Sequence, residues 1–564
     1  MRTTASGAGI LAPGGEERSE ARTAIDERPI DRRIADLYGE LLGIEAVDVD
    51  ADFFSLGGQS LRAMQLLAAI NEAFSTELQF GDLIDEATPR ALARRIGRLQ
   101  TSGEPQPALE RCEHGAAPSI TRGQLLFWRL GGRQELATYF NLRQAFMLHG
   151  PLDTQALQAA LQALVDRHDI LRTHFLPVDG RTSDDAELIV SARRAVAFSI
   201  VAAPIDAAAD PAAFVCTQLR GEIEQPFDLL SEPLIRFRLI RFSPTRHAFM
   251  VTMHHLITDA WSFNVLRRDL QLLYRAHTLR QPDALPELPF RYADYAHWNR
   301  RLHQSDSYRQ QRGYWDELFS SLGPIRGGPG SGGPGSVGDG ADRAPGTRYA
   351  DLSITAADLA RLTHCSAVHH TTPYVLLQVL MHLALYHTFR GQERMLVLSP
   401  AAERHRPELQ NCIGLYITIV GVLSMRSATT TLGQFIARLK RNVHEALEHA
   451  ESRQFALYDL AKHRATDFPL FVYNYFVLPN DTGWALTDLQ VEPLMPPDDE
   501  RPFVTTLELY HARGPTGLWG QLKYDGVQVG DRAGRRFATE YRRILDAVLS
   551  CTDDDTPVAA FIER

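Results

Sequence analysis

Two short strings hold the residue types that can do chemistry. The first is Asp52-Phe53-Phe54-Ser55-Leu56-Gly57-Gly58-Gln59-Ser60-Leu61. Gly57 and Gly58 free the backbone for a sharp turn, and Ser60 opens an amphipathic stretch, SLRAMQLLAAINEAF. Its hydroxyl is expected at a helix N-terminus, where the positive end of the dipole favours an attached phosphate. A serine after a glycine turn is also a common plain N-cap. A nucleophile elbow, G-x-S-x-G, is excluded because Arg62 takes the last glycine position.

The second string is Met253-His254-His255-Leu256-Ile257-Thr258-Asp259-Ala260-Trp261-Ser262, where a strand pattern gives way to a helix. Imidazole exchanges protons near neutral pH, so a cleft histidine suits a general base or an orienting group. Two adjacent histidines with an aspartate four residues on also raise a metal site. H-E-x-x-H is absent, however, and neighbours on a strand point to opposite faces. Catalysis, core histidines and metal binding all remain open from these residues alone. Under the catalytic reading, one histidine faces the reaction and the other packs inward. A second pair, His369-His370, has Tyr374 where the first has Asp259, and is expected to be a packing or solvent pair.

The elements that position these strings fall into two textures. Residues 29–100 hold three helix patterns and no clear strand: Ile34, Leu37, Leu41 and Leu42 in the first, Leu61, Met64, Leu67 and Ala68 in the second. Thr88-Pro89 opens the third, with Thr88 as N-cap and Pro89 at the first helical position. Residues 1–28 read as a disordered leader and 101–114 as a Pro/Gly-rich linker. From about residue 115 the pattern is mixed α/β. LDTQALQAALQALVDRH is helical, and ILRTHFLPV, PLIRFRLIRFS and HAFMVTMHH read as strands. SFNVLRRDLQLLYRAH is a helix with Phe263, Leu266, Leu270 and Leu273 on one face. The stretch 323–346 reads as a flexible loop; its formal G-x-G-x-x-G match at Gly330–Gly335 contains Pro334 and lacks a strand-to-helix setting.

Composition narrows the function classes. The 564 residues are 44% hydrophobic and 23% charged, which is ordinary globular usage. A formal charge of −10 argues against a general affinity for nucleic acid or an anionic membrane. The five cysteines include no C-x-x-C pair, as expected for reduced thiols in the cytoplasm. No apolar signal segment follows the first methionine, and the most apolar stretches, 374–386 and 412–425, are too short to span a bilayer.

The first string, D-x-F-F-x-L-G-G-x-S, resembles the peptidyl carrier protein of nonribosomal peptide synthetases, and the likeness runs from about residue 30 to 99. The resemblance implies a small all-α four-helix bundle. It makes Ser60 the site where a separate phosphopantetheinyl transferase attaches 4′-phosphopantetheine, with Gly57 and Gly58 forming the turn. Gln59 stands where the family usually has His or Asp.

The second string belongs to an ordered series. Ser119-Ile-Thr-Arg-Gly-Gln124, Arg167-His168-Asp169-Ile170-Leu171-Arg172-Thr173, H-H-L-I-T-D, Tyr292-Ala293-Asp294-Tyr295-Ala296, Ile413-Gly414-Leu415-Tyr416 and Phe471-Val472-Tyr473-Asn474 follow one another. In that order they resemble the motifs of nonribosomal peptide synthetase condensation domains. The resemblance implies a two-lobed α/β fold like chloramphenicol acetyltransferase, with an N-terminal lobe at 115–285 and a C-terminal lobe at 286–560. It makes His255 the histidine that orients or deprotonates the acceptor, His254 structural, and Asp259 the partner of an arginine that falls on Arg404.

Three positions depart from the family pattern: Ala260 for glycine after the aspartate, Glu403 for glycine before Arg404, and Thr418 for asparagine. Ala260 strains the loop if that position needs positive φ, and otherwise narrows the tunnel. The expectation is a carrier that presents a pantetheine-bound acyl or peptidyl donor, and a condensation unit that transfers it to an amine. No metal is expected. No adenylation domain is visible, so an upstream enzyme must load the donor in trans. The acceptor is an aminoacyl group on another carrier, or a small amine or alcohol. A free-standing pair is expected; ester formation, epimerisation and an inactive recruitment module are the alternatives.

Overall fold

The computed structural model describes residues 28–563 except 54–55, 57, 59, 75, 77, 79–81, 84–85, 100–107, 113–117, 132–136, 179–184, 322–345, 390–391, 405, 451–470, 478–483, 495–506 and 515–516. The expected leader therefore lies almost wholly outside the described residues, as do the G-x-G-x-x-G stretch and most of the linker.

Near the N-terminus three helices, Ile30–Leu42, Ser60–Phe74 and Pro89–Leu99, surround one small core, and residues 82–83 are also helical. The first helix ends where Gly43 turns left-handed at φ 75° and returns its N–H to the Gly39 carbonyl, a conformation glycine adopts without a Cβ penalty. The third begins at Pro89, and the Thr88 hydroxyl accepts from Ala91 N–H at 3.3 Å. Ile34, Tyr38, Phe53, Leu66, Ile70, Leu92 and Ile96 fill the interior, and the Tyr38 hydroxyl donates to the Ala87 carbonyl at 2.9 Å.

Of one expected stripe, only the Leu67 side chain is described, and it is buried. The second helix turns Ala63, Leu66, Leu67 and Ile70 to the core, while the side chains of Leu61, Met64 and Ala68 lie outside the described residues. The helix is apolar on more than one face, so periodicity alone does not choose which face is buried.

The remainder holds two large sheets. Its strands are β1 (Asn141–His149), β2 (Thr173–Pro177), β3 (Ala186–Val190), β4 (Phe198–Ala202), β5 (Ile235–Ser243), β6 (Arg246–His254), β7 (Thr347–Asp351), β8 (Ile354–Thr355), β9 (Arg394–Ala402), β10 (Ile417–Met425), β11 (Phe471–Val477), β12 (Gln490–Leu494), β13 (Leu507–Gly514) and β14 (Gly517–Asp525). One sheet has the order β12-β1-β6-β5-β4, the other β10-β9-β11-β13-β14-β7 with β8 beside β14, and β2 pairs with β3.

The first sheet carries the helices Thr154–Arg167 and Ala260–Leu279. Asp153 caps the former through Gln155 and Ala156 N–H, and Phe263, Leu266, Leu270 and Leu273 of the latter are all buried. Segments beyond residue 286 share this core: the helix Tyr292–His303, residues 409–416 and strand β12. A boundary at residue 286 therefore divides the chain but not this core.

The second core surrounds the helix Pro373–Thr388, which is buried throughout Val375–Thr388. That burial explains its apolar run. Its two polar interruptions each make one hydrogen bond: Gln378 Nε2 donates to the Tyr374 hydroxyl at 2.9 Å, and His382 Nδ1 lies 2.7 Å from Ser424 Oγ. Among the described residues no helix is long and apolar enough to cross a membrane. None of the five cysteines, all among the described residues, is in a disulfide. His369 stands 3.7 Å from Asp554, and His370 is exposed with φ 47°.

Candidate active site

Strand β6 ends at His254, where it pairs with Asn141 of β1. The chain then makes a 3-10 turn, His255–Ile257, and enters the helix Ala260–Leu279 with Asp259 as N-cap. This break in the strand separates the two histidines. His254 is 1% exposed, and its Nδ1 accepts Leu256 N–H at 3.1 Å. Burial, then the neighbouring His255, push its pKa down to about 3. Its ring is neutral, and its hydrogen bond to Leu256 lies within the turn.

His255 is only partly buried. Its backbone N–H donates to the Phe140 carbonyl at 2.8 Å, and its ring stacks on Phe127 at 4.5 Å. Nδ1 lies 2.8 Å from the Thr258 carbonyl oxygen. A carbonyl oxygen only accepts, so Nδ1 carries the proton and, in the neutral ring, Nε2 keeps a lone pair. Burial lowers the pKa of this ring, and the hydrogen bond to Thr258 and the charge of Asp259 oppose the shift. The neutral form is thus favoured at neutral pH.

Asp259 and Arg404 sit 2% and 5% exposed, with Arg404 Nη2 3.1 Å from Asp259 Oδ1. The pairing expected between them is present. Asp259 also accepts Ser262 N–H at 2.7 Å and Tyr416 N–H at 3.1 Å. Arg404 Nη1 donates to the Leu409 and Cys412 carbonyls at 2.8 and 2.9 Å, and its guanidinium lies 4.1 Å over the Tyr416 ring. Every hydrogen-bonding edge of this buried pair is thereby engaged, as a desolvated charge pair requires. Arg404 follows β9 of the second sheet and Asp259 follows β6 of the first, so the pair ties the two halves together beside His255.

Several supporting residues were not singled out from sequence. Ser262 Oγ lies 2.7 Å from both Asp259 Oδ1 and the Gly414 carbonyl and accepts Gly414 N–H at 3.0 Å. Gly414 has no room for a side chain, because an added Cβ would stand 2.1 Å from Tyr292 Cδ2. Gln124, fully buried, donates to the Leu256 carbonyl at 2.8 Å and braces the 3-10 turn. Asp169 accepts Tyr292 and Ala293 N–H at 3.2 and 3.3 Å, which joins two motifs far apart in sequence. Gln124, Asp169 and Gly414 stand inside the quoted motif strings; only their contacts were illegible.

The three departures have plain positions. Ala260 is the first residue of its helix, is exposed, and is absent from the positive-φ residues, so its methyl does not strain the loop. Glu403 is buried and accepts the Tyr295 hydroxyl at 2.6 Å. Thr418 is buried on β10 and donates to the Ala450 carbonyl at 3.3 Å.

In the helical part, Gly57 lies outside the described residues. Gly58 N–H donates to the Phe53 carbonyl at 2.9 Å, and an added Cβ there would stand 2.3 Å from the Phe53 ring. Ser60 opens the helix Ser60–Phe74 directly after this turn. A serine at the first residue of a long helix, behind a turn too tight for a side chain, fits a covalent phosphate ester.

The comparisons agree with both regions. The condensation-domain family profile matches residues 120–553, and the phosphopantetheine-attachment-site profile matches 32–96. Tyrocidine synthase 2 of Brevibacillus parabrevis is 29% identical over 96% of this chain, which spans 14% of that protein. Phosphinothricin tripeptide synthetase PhsB of Streptomyces viridochromogenes is 28% identical over 93% of the chain and 44% of its own length. This chain thus spans less than half the length of either relative. In fold, an X-domain solved in complex with OxyB from teicoplanin biosynthesis superposes with a TM-score of 0.68 at 23% identity, covering 82% of this chain and 99% of that one. The condensation domain of the polyketide synthase MokA gives 0.64 at 19% identity, covering 79% of this chain and 99% of that one. The chain belongs to the condensation-domain family and carries, ahead of that domain, a carrier domain of the kind to which phosphopantetheine is covalently attached.

Proposed function

We propose that this protein forms amide bonds in nonribosomal peptide biosynthesis, transferring an acyl or peptidyl group from its carrier to an amine. Ser60 is the attachment residue. Pantetheine, when bound there, supplies the thiol that carries the acyl donor. His255 Nε2 faces the acceptor and takes the proton that its nitrogen loses as the new carbon–nitrogen bond forms. The acyl carbon–sulfur bond breaks, and the same proton passes to the departing sulfur, leaving a free thiol on the carrier. The Thr258 carbonyl and Phe127 hold the ring, and His254, Gln124 and the Asp259–Arg404 pair hold the turn.

The observation that carries this reading is the Nδ1 contact to Thr258, which leaves Nε2 as the basic atom of a partly exposed ring. The partners are a phosphopantetheinyl transferase, an upstream enzyme that loads the donor, and an acceptor amine that is free or bound to a second carrier. An alcohol acceptor, giving an ester, is the second outcome of the same chemistry.

The test converts the chain to its holo form, loads acyl-pantetheine, adds amines and alcohols, and follows intact mass. Amide product that disappears in His255→Ala supports the assignment, and product that persists sinks it. A Ser60→Ala chain that still gains pantetheine mass overturns the attachment site. Stereochemical scrambling without bond formation identifies epimerisation instead.

A further inference from the structure

The face of the second sheet opposite its apolar core carries a polar cluster that the proposed chemistry does not use. Glu508 of β13 lies directly across from Lys523 of β14, which in turn lies across from Tyr349 of β7. Asn474 of β11 aligns with Tyr510 and donates through Nδ2 to Glu508 Oε1. Glu508 and Asn474 are each 6% exposed. Lys523 is close enough for its charge to oppose the upward push of burial on the Glu508 carboxyl.

Lys523 reaches beyond its own sheet. Its Nζ stands 5.6 Å from the ring centroid of Tyr139, which packs on the first core. Tyr139 meets Phe140 edge-on at 5.1 Å, and Phe140 meets Phe127 in the same way at 5.1 Å. Phe127 is the ring on which His255 stacks, and the Phe140 carbonyl holds the His255 N–H. A continuous set of contacts thus runs from a cation on one sheet to the histidine at the end of the other.

We propose that Lys523 is a positioning residue that, braced by Glu508 on its own sheet, presses on Tyr139 and fixes the Phe140–Phe127 support of His255 across the gap between the two sheets. This deepens the acyl-transfer reading and rests on it for its catalytic consequence. The geometric content stands independently. A cation within about 6 Å of an aromatic face is attracted by the ring quadrupole, more strongly where water is excluded. Glu508 lies directly across from Lys523 on the same sheet face, within range of its charge. Loss of either partner therefore loosens the 138–142 segment without opening either core.

The test is amide hydrogen exchange on the full chain with Lys523→Met, Lys523→Arg, Tyr139→Leu and Tyr139→Phe. Exchange in segments 138–142 and 255–258 is expected to rise roughly two- to thirty-fold in Lys523→Met and Tyr139→Leu, the factor a cation–π contact represents. Lys523→Arg and Tyr139→Phe keep a cation over a ring and are expected to match the parent. Lys523→Met with unchanged exchange overturns the proposal. So does an equal rise along β5, which would mean general loosening. Should one substitution prevent folding, the other lies on the far side of the contact, in the turn before β1, and answers the same question. Exchange requires no turnover, so its failure is distinct from a failure of the acyl-transfer reading. With transfer measurable, kcat is expected to fall at little change in KM and to recover in Lys523→Arg.

Discussion

Replacing Arg404 with leucine removes one half of a buried charge pair and leaves the other in place. Asp259 keeps the Ser262 and Tyr416 N–H donors but loses its counter-charge at 3.1 Å. The Leu409 and Cys412 carbonyls lose their Arg404 donor as well. Stranding a buried charge in this way costs about 3–5 kcal/mol. Asp259→Asn strands the arginine instead, while asparagine remains a good N-cap, so its cost is expected in the same range of about 3–5 kcal/mol. The double variant removes both charges, and its cost is expected to fall short of the sum by about 2–3 kcal/mol. The assay is urea unfolding followed by tryptophan fluorescence. All six tryptophans lie between positions 128 and 519, outside the carrier, so the signal reads the condensation domain alone. Trp261, whose Nε1 donates to the Gln410 carbonyl at 2.9 Å, reports close to the pair. A cost for Arg404→Leu below about 1 kcal/mol, or additivity within about 0.5 kcal/mol, would refute the claim that this is a desolvated, coupled pair.

Gly414→Ala forces a Cβ to 2.1 Å from the Tyr292 ring and is expected to cost about 1–3 kcal/mol by overpacking; Gly97→Ala meets nothing within 4 Å on a helix and is expected to stabilise the carrier by about 0.5–1 kcal/mol. Thermal unfolding followed by circular dichroism distinguishes the two signs. Acid is expected to destabilise the condensation domain early. Burial lowers the pKa of His254 and His382 to about 3 and of His511 to about 4, whereas unfolding returns each to about 6.5. The unfolded chain therefore binds protons first. Stability is full above about pH 6.5 and falls by about 2 kcal/mol per histidine by pH 5; a flat urea midpoint between pH 7 and 5 would contradict this. For His255, whose pKa is also lowered by burial, transfer is expected to lose activity only below the usual histidine range. An acid limb at or above about 6.5 would mean that the ring is not held as described.

Much of the helical part was legible because its signals are local. Thr88-Pro89 and the apolar residues of the first helix each act within a turn or two of chain. In the second helix Leu67 was read as buried, whereas Ala63, Leu66 and Ile70, which share its core, were not singled out, since an apolar residue on either side satisfies the same periodicity. For the turn at His255, alternation along a strand anticipated that His254 and His255 point differently. The separation arises instead because β6 ends at His254 and a 3-10 turn begins at His255.

From sequence alone came the chemistry-bearing residues, the order of the motifs and the two-part organisation, because residue type and short spacing carry that information. The folded chain alone decided which atoms meet. The proton on His255 Nδ1 depends on the Thr258 carbonyl. The need for glycine at 414 depends on Tyr292, more than a hundred residues earlier. That Ala260 does not strain the backbone depends on its being a helical first residue. Tyr139 and Lys523 lie nearly four hundred positions apart and meet only because two sheets face one another. Contacts of that range have no local pattern to betray them, since they are set by how cores pack rather than by how neighbouring residues repeat.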